Sequence, residues 1–169
     1  MLKIIWSPAI TLDGYIARTN GDSDWVSDED GKLFHKLIKN TGCVIVGRKT
    51  YEQYKGQAFP VKGATTFVWT RHPETAQKEA TVEYISGEPS NVAKQIEEKG
   101  FSQAVLAGGG ITNNAFVALG FVTEVVVTIY PMTFGIGIKM LSEECNLSLE
   151  LLDSQDIGGG VIRQRYRVK

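Results

Sequence analysis

A chain of 169 residues with 43% apolar content can bury one sizeable core, which excludes a disordered or fibrous polymer. Eighteen basic against nineteen acidic residues leave a formal charge of −1, which excludes the broad positive field of a general nucleic-acid binder. Cys43 and Cys145, like His35 and His72, stand too far apart for a metal-ligand spacing. No metal site is therefore expected, and a reduced, cytoplasmic protein is.

The opening LKIIWSPAI lacks the charged and apolar regions of a signal peptide, and no apolar run approaches the roughly 20 residues of a membrane helix. Residues 2–6 instead form a short apolar run that predicts a buried strand. Residues 28–40 predict a helix, with Leu33, Phe34, Leu37 and Ile38 on one stripe and a stop near Gly42. A strand at 44–46 leads through Gly47 into a short helix at 49–54, and further strands follow at 66–69 and 82–86. Pro89 introduces a helix at 90–99 that stops at Gly100. A strand at 104–107 precedes a helix at 113–119, which stops at Gly120, and a strand at 122–129 follows.

The remainder changes character. Leu147, Leu149 and Leu151 alternate with polar residues, as do Ile162, Gln164, Tyr166 and Val168 with Arg163, Arg165 and Arg167. These runs predict an antiparallel hairpin turning through residues 156–160. The final strand, aromatic and aliphatic on one face and basic on the other, is expected at a sheet edge. With no linker or repeat, residues 1–169 read as one α/β domain, a mixed, mostly parallel sheet flanked by helices and finished by that hairpin.

Two turns join strands to helices and carry glycine. Gly47-Arg48-Lys49-Thr50 combines close backbone approach, a hydroxyl and two charges at a helix start, which suits phosphate. Arg48 can grip a phosphomonoester with two hydrogen bonds. An ordinary turn with solvated basic residues fits the same letters. Gly108-Gly109-Gly110-Ile111-Thr112 spends three flexible residues where a ligand could rest on main chain, although a tight packing turn would also use them. Their spacing is not the G-x-G-x-x-G of a Rossmann unit. Two such turns in one domain suit a dinucleotide.

Asp30 precedes Leu33 by three and Phe34 by four, so it lies on the buried stripe. A carboxyl there suits proton delivery; a first-turn acid favoured by the helix dipole is the alternative.

The segments ITLDGYIA, DSDW, VIVGRKTYE, AGGGITNNAF and TEVVVTIYPMTFGIG, in that order, resemble the dihydrofolate-reductase-like superfamily. The chain is most similar there to stand-alone relatives of the C-terminal reductase domain of the bifunctional riboflavin deaminase/reductase. The resemblance implies a three-layer α/β fold and NADPH as cofactor. It implies that Ala9 and Ile16 border the nicotinamide and that residues 20–25 form a loop closing over the site. Gly47, Arg48, Lys49 and Thr50 would cradle the adenosine side, with Thr70 and Arg71 near the adenine and its ribose phosphate. Gly108, Gly109, Gly110, Ile111 and Thr112 would hold the pyrophosphate. Asp30 matches the family's active-site carboxylate, Thr128 the threonine that supports it, and Trp25 falls at the matching distance before it.

Two departures bear on the substrate. Lys62 is the one cation where dihydrofolate reductase has an arginine for the substrate's glutamate tail, and no His/Cys deaminase cluster precedes the reductase segments. The resemblance therefore implies hydride transfer to a C=N or C=O bond of a pyrimidine- or pterin-like heterocycle, with a 5-amino-6-(5-phosphoribosylamino)uracil reductase as the nearest type. Dihydrofolate reductase and a non-catalytic NADPH sensor are the alternatives. It also implies a homodimer, with neither nucleic acid nor membrane as partner.

Overall fold

The structure is a computed structural model and describes residues 1–75, 79–141 and 145–169. The β-branched runs form the parallel centre of one sheet. Its strands are β1 (Lys3–Trp6), β4 (Cys43–Gly47), β5 (Thr65–Trp69), β6 (Val82–Ile85), β7 (Gln103–Gly108) and β8 (Val122–Tyr130). The hairpin β10 (Leu149–Asp156) and β11 (Ile162–Val168) adds antiparallel strands, giving the order β10-β11-β8-β1-β7-β4-β5-β6.

Both faces of the centre are buried, as near-continuous apolar strands require. On one face Ile4, Trp6, Ile45, Phe67 and Leu106 pack against α3 (Pro89–Glu98) and α4 (Gly110–Ala118). On the other, Val44, Val46, Val68 and Val105 pack against α1 (Asp28–Thr41) and α2 (Arg48–Tyr54). The expected three layers are present. Cys43 lies in this core, and burial pushes its thiol up to about 12.

Local chemistry sets the ends of α1. Ser27 Oγ accepts from the Asp30 N–H at 3.3 Å, three acids occupy the first turn, and the Gly42 N–H donates to the Ile38 carbonyl. The helix expected from residue 113 begins instead at Gly110, because the Asn113 N–H closes onto the Gly109 carbonyl at 2.9 Å. Its first turn needs no packing side chains, since it faces the cleft.

Three strands were too short for periodicity to reveal: β2 (Ala9–Thr11), β3 (Tyr15–Ala17) and β9 (Ile138–Lys139). β8 is long enough to pair with β1 near one end and with β2 at Thr128–Tyr130 near the other. The expectation of β11 at a sheet edge is corrected. β11 lies between β8 and β10, because Tyr166 and Val168 pack on the core, whereas every residue of β10 is exposed. The edge is β10. Its partner β11 sends each arginine to a carboxylate: Arg163 to Asp30, Arg165 to Glu124 and Arg167 to Glu150.

Candidate active site

The six parallel strands of the centre end on one side of the sheet, and a cleft of about 2110 Å³ opens beyond those ends. That is where open α/β sheets bind ligands. The volume exceeds that of an ordinary small-molecule pocket, roughly 300–1,000 Å³. It suits a cofactor and a substrate side by side.

The two glycine turns meet there and interlock. Gly47 ends β4 as the N-cap of α2, and Gly109 is the N-cap of α4. The Gly109 N–H donates to Thr50 Oγ1 at 3.0 Å. A Cβ on Gly109 would meet that same oxygen at 2.8 Å, and a Cβ on Gly47 would collide with Thr112 Oγ1. Close approach thus explains both glycines. Gly108 has φ 99°, a conformation a side chain would strain. The N–H groups of Gly110, Ile111 and Thr112 precede the first intrahelical bond of α4, so they are available to an anion. Asn113 is buried just behind them. Its Oδ1 has no hydrogen-bond partner among the described residues, and the residue borders the cleft.

At one end of the cleft Arg48, Lys49, Thr70 and Arg71 are all lining residues. Arg48 Nε donates to Glu52 Oε1 at 2.7 Å and Nη1 to Thr75 Oγ1 at 2.9 Å. The guanidinium is therefore held at the mouth rather than free in solvent.

The opposite end is built around Asp30, which is 4% exposed. Thr128 Oγ1 donates to its Oδ1 at 2.9 Å, and Arg163 Nη1 donates to the same oxygen at 2.8 Å. Tyr130 Oη donates to Oδ2 at 3.3 Å. Burial pushes the Tyr130 phenol above its ordinary range, so it stays a donor; the Ser27 N–H donates to it at 2.8 Å. Every bond to the carboxyl in this arrangement is one it accepts.

The residues expected from the sequence separate into two groups. Ala9, Ile16, Gly47, Thr50, Gly109, Gly110, Ile111, Thr112, Asp30 and Thr128 all border the cleft. Gly108 and Trp25 do not. Trp25 packs edge-on against Tyr130 at 4.9 Å and Phe134 at 5.6 Å, behind the carboxylate. The segment around it crosses toward α2, where Gly21 O accepts from Gln53 Nε2 at 2.9 Å and the Ser23 N–H donates to Tyr54 Oη at 3.0 Å. Asp13 fastens the base of this region. It accepts from Thr11 Oγ1 at 2.6 Å and from the Gly135 N–H at 2.8 Å. Sequence reasoning missed Arg163, Tyr130 and Asn113. For Arg163 the signal present was an arginine on a half-buried strand, and it pointed to solvent.

Among the described residues no cluster of His, Cys, Asp or Glu could hold a metal ion. No helix among them is long and apolar enough to cross a membrane.

Comparison with known proteins places this architecture. The family model for the RibD C-terminal domain matches residues 2–163. The uncharacterized protein YwjB of Bacillus subtilis (strain 168) is 31% identical over 165 residues, which is 94% of each chain. A Thermotoga maritima diaminohydroxyphosphoribosylaminopyrimidine deaminase/5-amino-6-(5-phosphoribosylamino)uracil reductase superposes with a TM-score of 0.79 at 18% identity, over 99% of this chain and 57% of that one. Dihydrofolate reductase from Enterococcus faecalis, complexed with NADP(H), superposes with a TM-score of 0.77 at 16% identity, over 99% and 96%. The fold is that of dihydrofolate reductase.

Proposed function

We propose that this chain, which belongs to the RibD C-terminal domain family, is an NADPH-dependent reductase of a pyrimidine- or pterin-like heterocycle. The observation that carries the reading is one continuous cleft with two interlocked phosphate-facing turns at one end and a buried, hydrogen-bonded carboxyl at the other. The reductase named in the Thermotoga relative and the NADP(H) bound to the Enterococcus enzyme supply the reaction class and the cofactor.

The residues fit a dinucleotide. The close packing of Gly47 on Thr112 and of Gly109 on Thr50 brings both turns together at the cleft, and Asn113 Oδ1 is a buried acceptor with no partner among the described residues, on a residue that borders the cleft. Gly110, Ile111 and Thr112 would hold the pyrophosphate through their N–H groups. Gly47, Lys49 and Thr50 would take the adenosine side, with Thr70 beside it, and Ala9 and Ile16 would border the nicotinamide. When bound, the cofactor supplies the hydride. The protein supplies position and excludes water. Asp30 accepts an N–H of the heterocycle and relays from solvent water the proton that balances the hydride. Thr128 and Arg163 hold the carboxyl in place.

Arg48 and Arg71 both line the cleft, and this reading gives them the 2′-phosphate. NADPH is therefore expected to bind more tightly than NADH, and Arg48→Ala should weaken NADPH chiefly. One charge-assisted contact is worth about 1.5–3 kcal/mol, or roughly tenfold to a hundredfold in affinity. Calorimetry with both cofactors checks this; equal losses for the two would remove Arg48 from the phosphate.

A second copy of the chain completes the molecule along β10. Every residue of that edge strand is exposed, Leu149, Leu151 and Leu152 among them, and an uncovered apolar edge invites pairing. Light scattering at micromolar concentration should return twice the chain mass. A single-chain mass would overturn the dimer.

A further inference from the structure

The substrate end of the cleft holds a charge-compensated pair, not a bare carboxylate. Arg163 is 13% exposed through its side chain. Its Nη1 serves both Asp30 Oδ1 at 2.8 Å and Thr128 Oγ1 at 3.1 Å. A guanidinium carries five N–H donors in a planar fork, and Nη1 accounts for two. The Nε and Nη2 donors have no hydrogen-bond partner among the described residues, and the residue borders the cleft beside Asp30. Two positions along the same strand, Arg165 spends Nε and Nη2 on both oxygens of Glu124, at 2.6 and 2.9 Å. Arg163 keeps the equivalent pair of donors in reserve.

These spare donors, on a side chain that is 13% exposed, are left to water until a ligand acceptor replaces it. The complement of a guanidinium fork is a planar oxygen acceptor. Asp30 Oδ2 receives one long bond, from Tyr130 at 3.3 Å, and retains capacity for a donor. Side by side, the pair reads an edge that carries C=O next to N–H. A diamino edge bearing a positive charge would set its donors against the Arg163 donors and find the Asp30 charge already balanced.

We propose that Arg163 is a specificity-determining residue of the substrate site, whose free donors take a ring carbonyl and so select an oxo-pyrimidine or oxo-pterin over a cationic diaminopyrimidine. This deepens the reductase reading and rests on it for the assignment of the cleft to a heterocycle.

The test uses the full chain, with and without NADPH, and two probes: 5,6-diaminouracil, and 2,4-diaminopyrimidine at mildly acid pH, where it is protonated. The wild-type protein should prefer the uracil. Arg163→Met should weaken the uracil by roughly tenfold to a hundredfold, the worth of a charge-assisted contact. It should also strengthen the diaminopyrimidine by at least about tenfold, reversing the order. Arg163→Lys keeps the charge without the fork, so it should weaken the uracil with no gain for the diaminopyrimidine. Should the methionine variant fail to fold, the lysine variant decides alone. NADPH affinity should be the same in all three proteins.

Probe affinities unchanged in the variants would mean that the spare donors face the shallow groove beside α1, which Arg163 also borders, and would overturn the proposal. So would a wild-type preference for the diaminopyrimidine, or no binding of either probe. Loss of NADPH binding in the wild-type protein would instead sink the reductase reading, while the order of the probes in the cofactor-free protein would still judge Arg163.

Discussion

Asp30→Asn should lower single-turnover NADPH oxidation by about 10²–10⁴, the usual worth of a positioned proton-transfer group, while NADPH affinity stays unchanged. The carboxyl stands at the end of the cleft away from Arg48 and Arg71, so the cofactor contacts survive the change. The fold will feel it nonetheless. Arg163 loses its counter-charge, and breaking a buried pair from one side costs roughly 3–5 kcal/mol. With Arg163 13% exposed through its side chain, about 3 kcal/mol is the fitting end of that range. A lowered melting temperature is thus expected on either view of Asp30 and decides nothing by itself. Turnover measured well below the melting transition does decide. Thr128→Val should slow the reaction less, because it removes one support at 2.9 Å and leaves the carboxyl. If Asp30→Asn turned over like the parent, Asp30 would be only the counter-charge of Arg163 at the start of the helix, and not a proton-transfer group.

Gly47→Ala should weaken NADPH roughly tenfold to a hundredfold and cost about 1–3 kcal/mol of stability. A single methyl there runs into Thr112 Oγ1, on a side chain that is itself buried. Either the hydroxyl must swing away or the two turns must part, and parting them would break the Gly109 N–H bond to Thr50 Oγ1. Thr112→Ala in the same chain removes the obstructing oxygen and leaves the Gly108 carbonyl at 3.6 Å and Thr112 Cβ at 3.7 Å from the new methyl, both ordinary contacts. The double variant should therefore recover the stability, though not all the affinity, since Thr112 also lines the cleft. A double-mutant cycle on melting and NADPH binding measures that coupling. Purely additive losses would show that the turns do not interlock as described.

These experiments also mark where sequence reading runs out. The sheet centre was legible because β-branched runs bounded by glycine and proline leave few other readings, and the stripe of α1 placed Asp30 inside. The two glycine turns were legible as compositions, but not as partners: the contact of Gly109 with Thr50 spans 59 positions. Arg163 was invisible for a sharper reason. Alternation on β11 correctly put three arginines on one face, and alternation distinguishes only packed from unpacked. It does not distinguish water from a carboxylate 133 positions away. β11 was expected at the edge by the same limit, because the outer place in a hairpin depends on which strand the sheet accepts first.

The Asp30–Arg163 pair has a bearing on how the molecule comes into being. Its carboxylate belongs to the first helix, and its guanidinium belongs to the strand that follows every other element described. During synthesis from the amino end, the parallel centre of the sheet and both glycine turns can assemble while that strand is still unmade. Such a partial chain would already present a place for the dinucleotide, yet Asp30 would stand without its counter-charge and the far end of the cleft without its fork. The reducing site is therefore completed last, and occupancy by the cofactor can precede competence. A nascent or shortened chain ending before Ile162 should hold NADPH without consuming it.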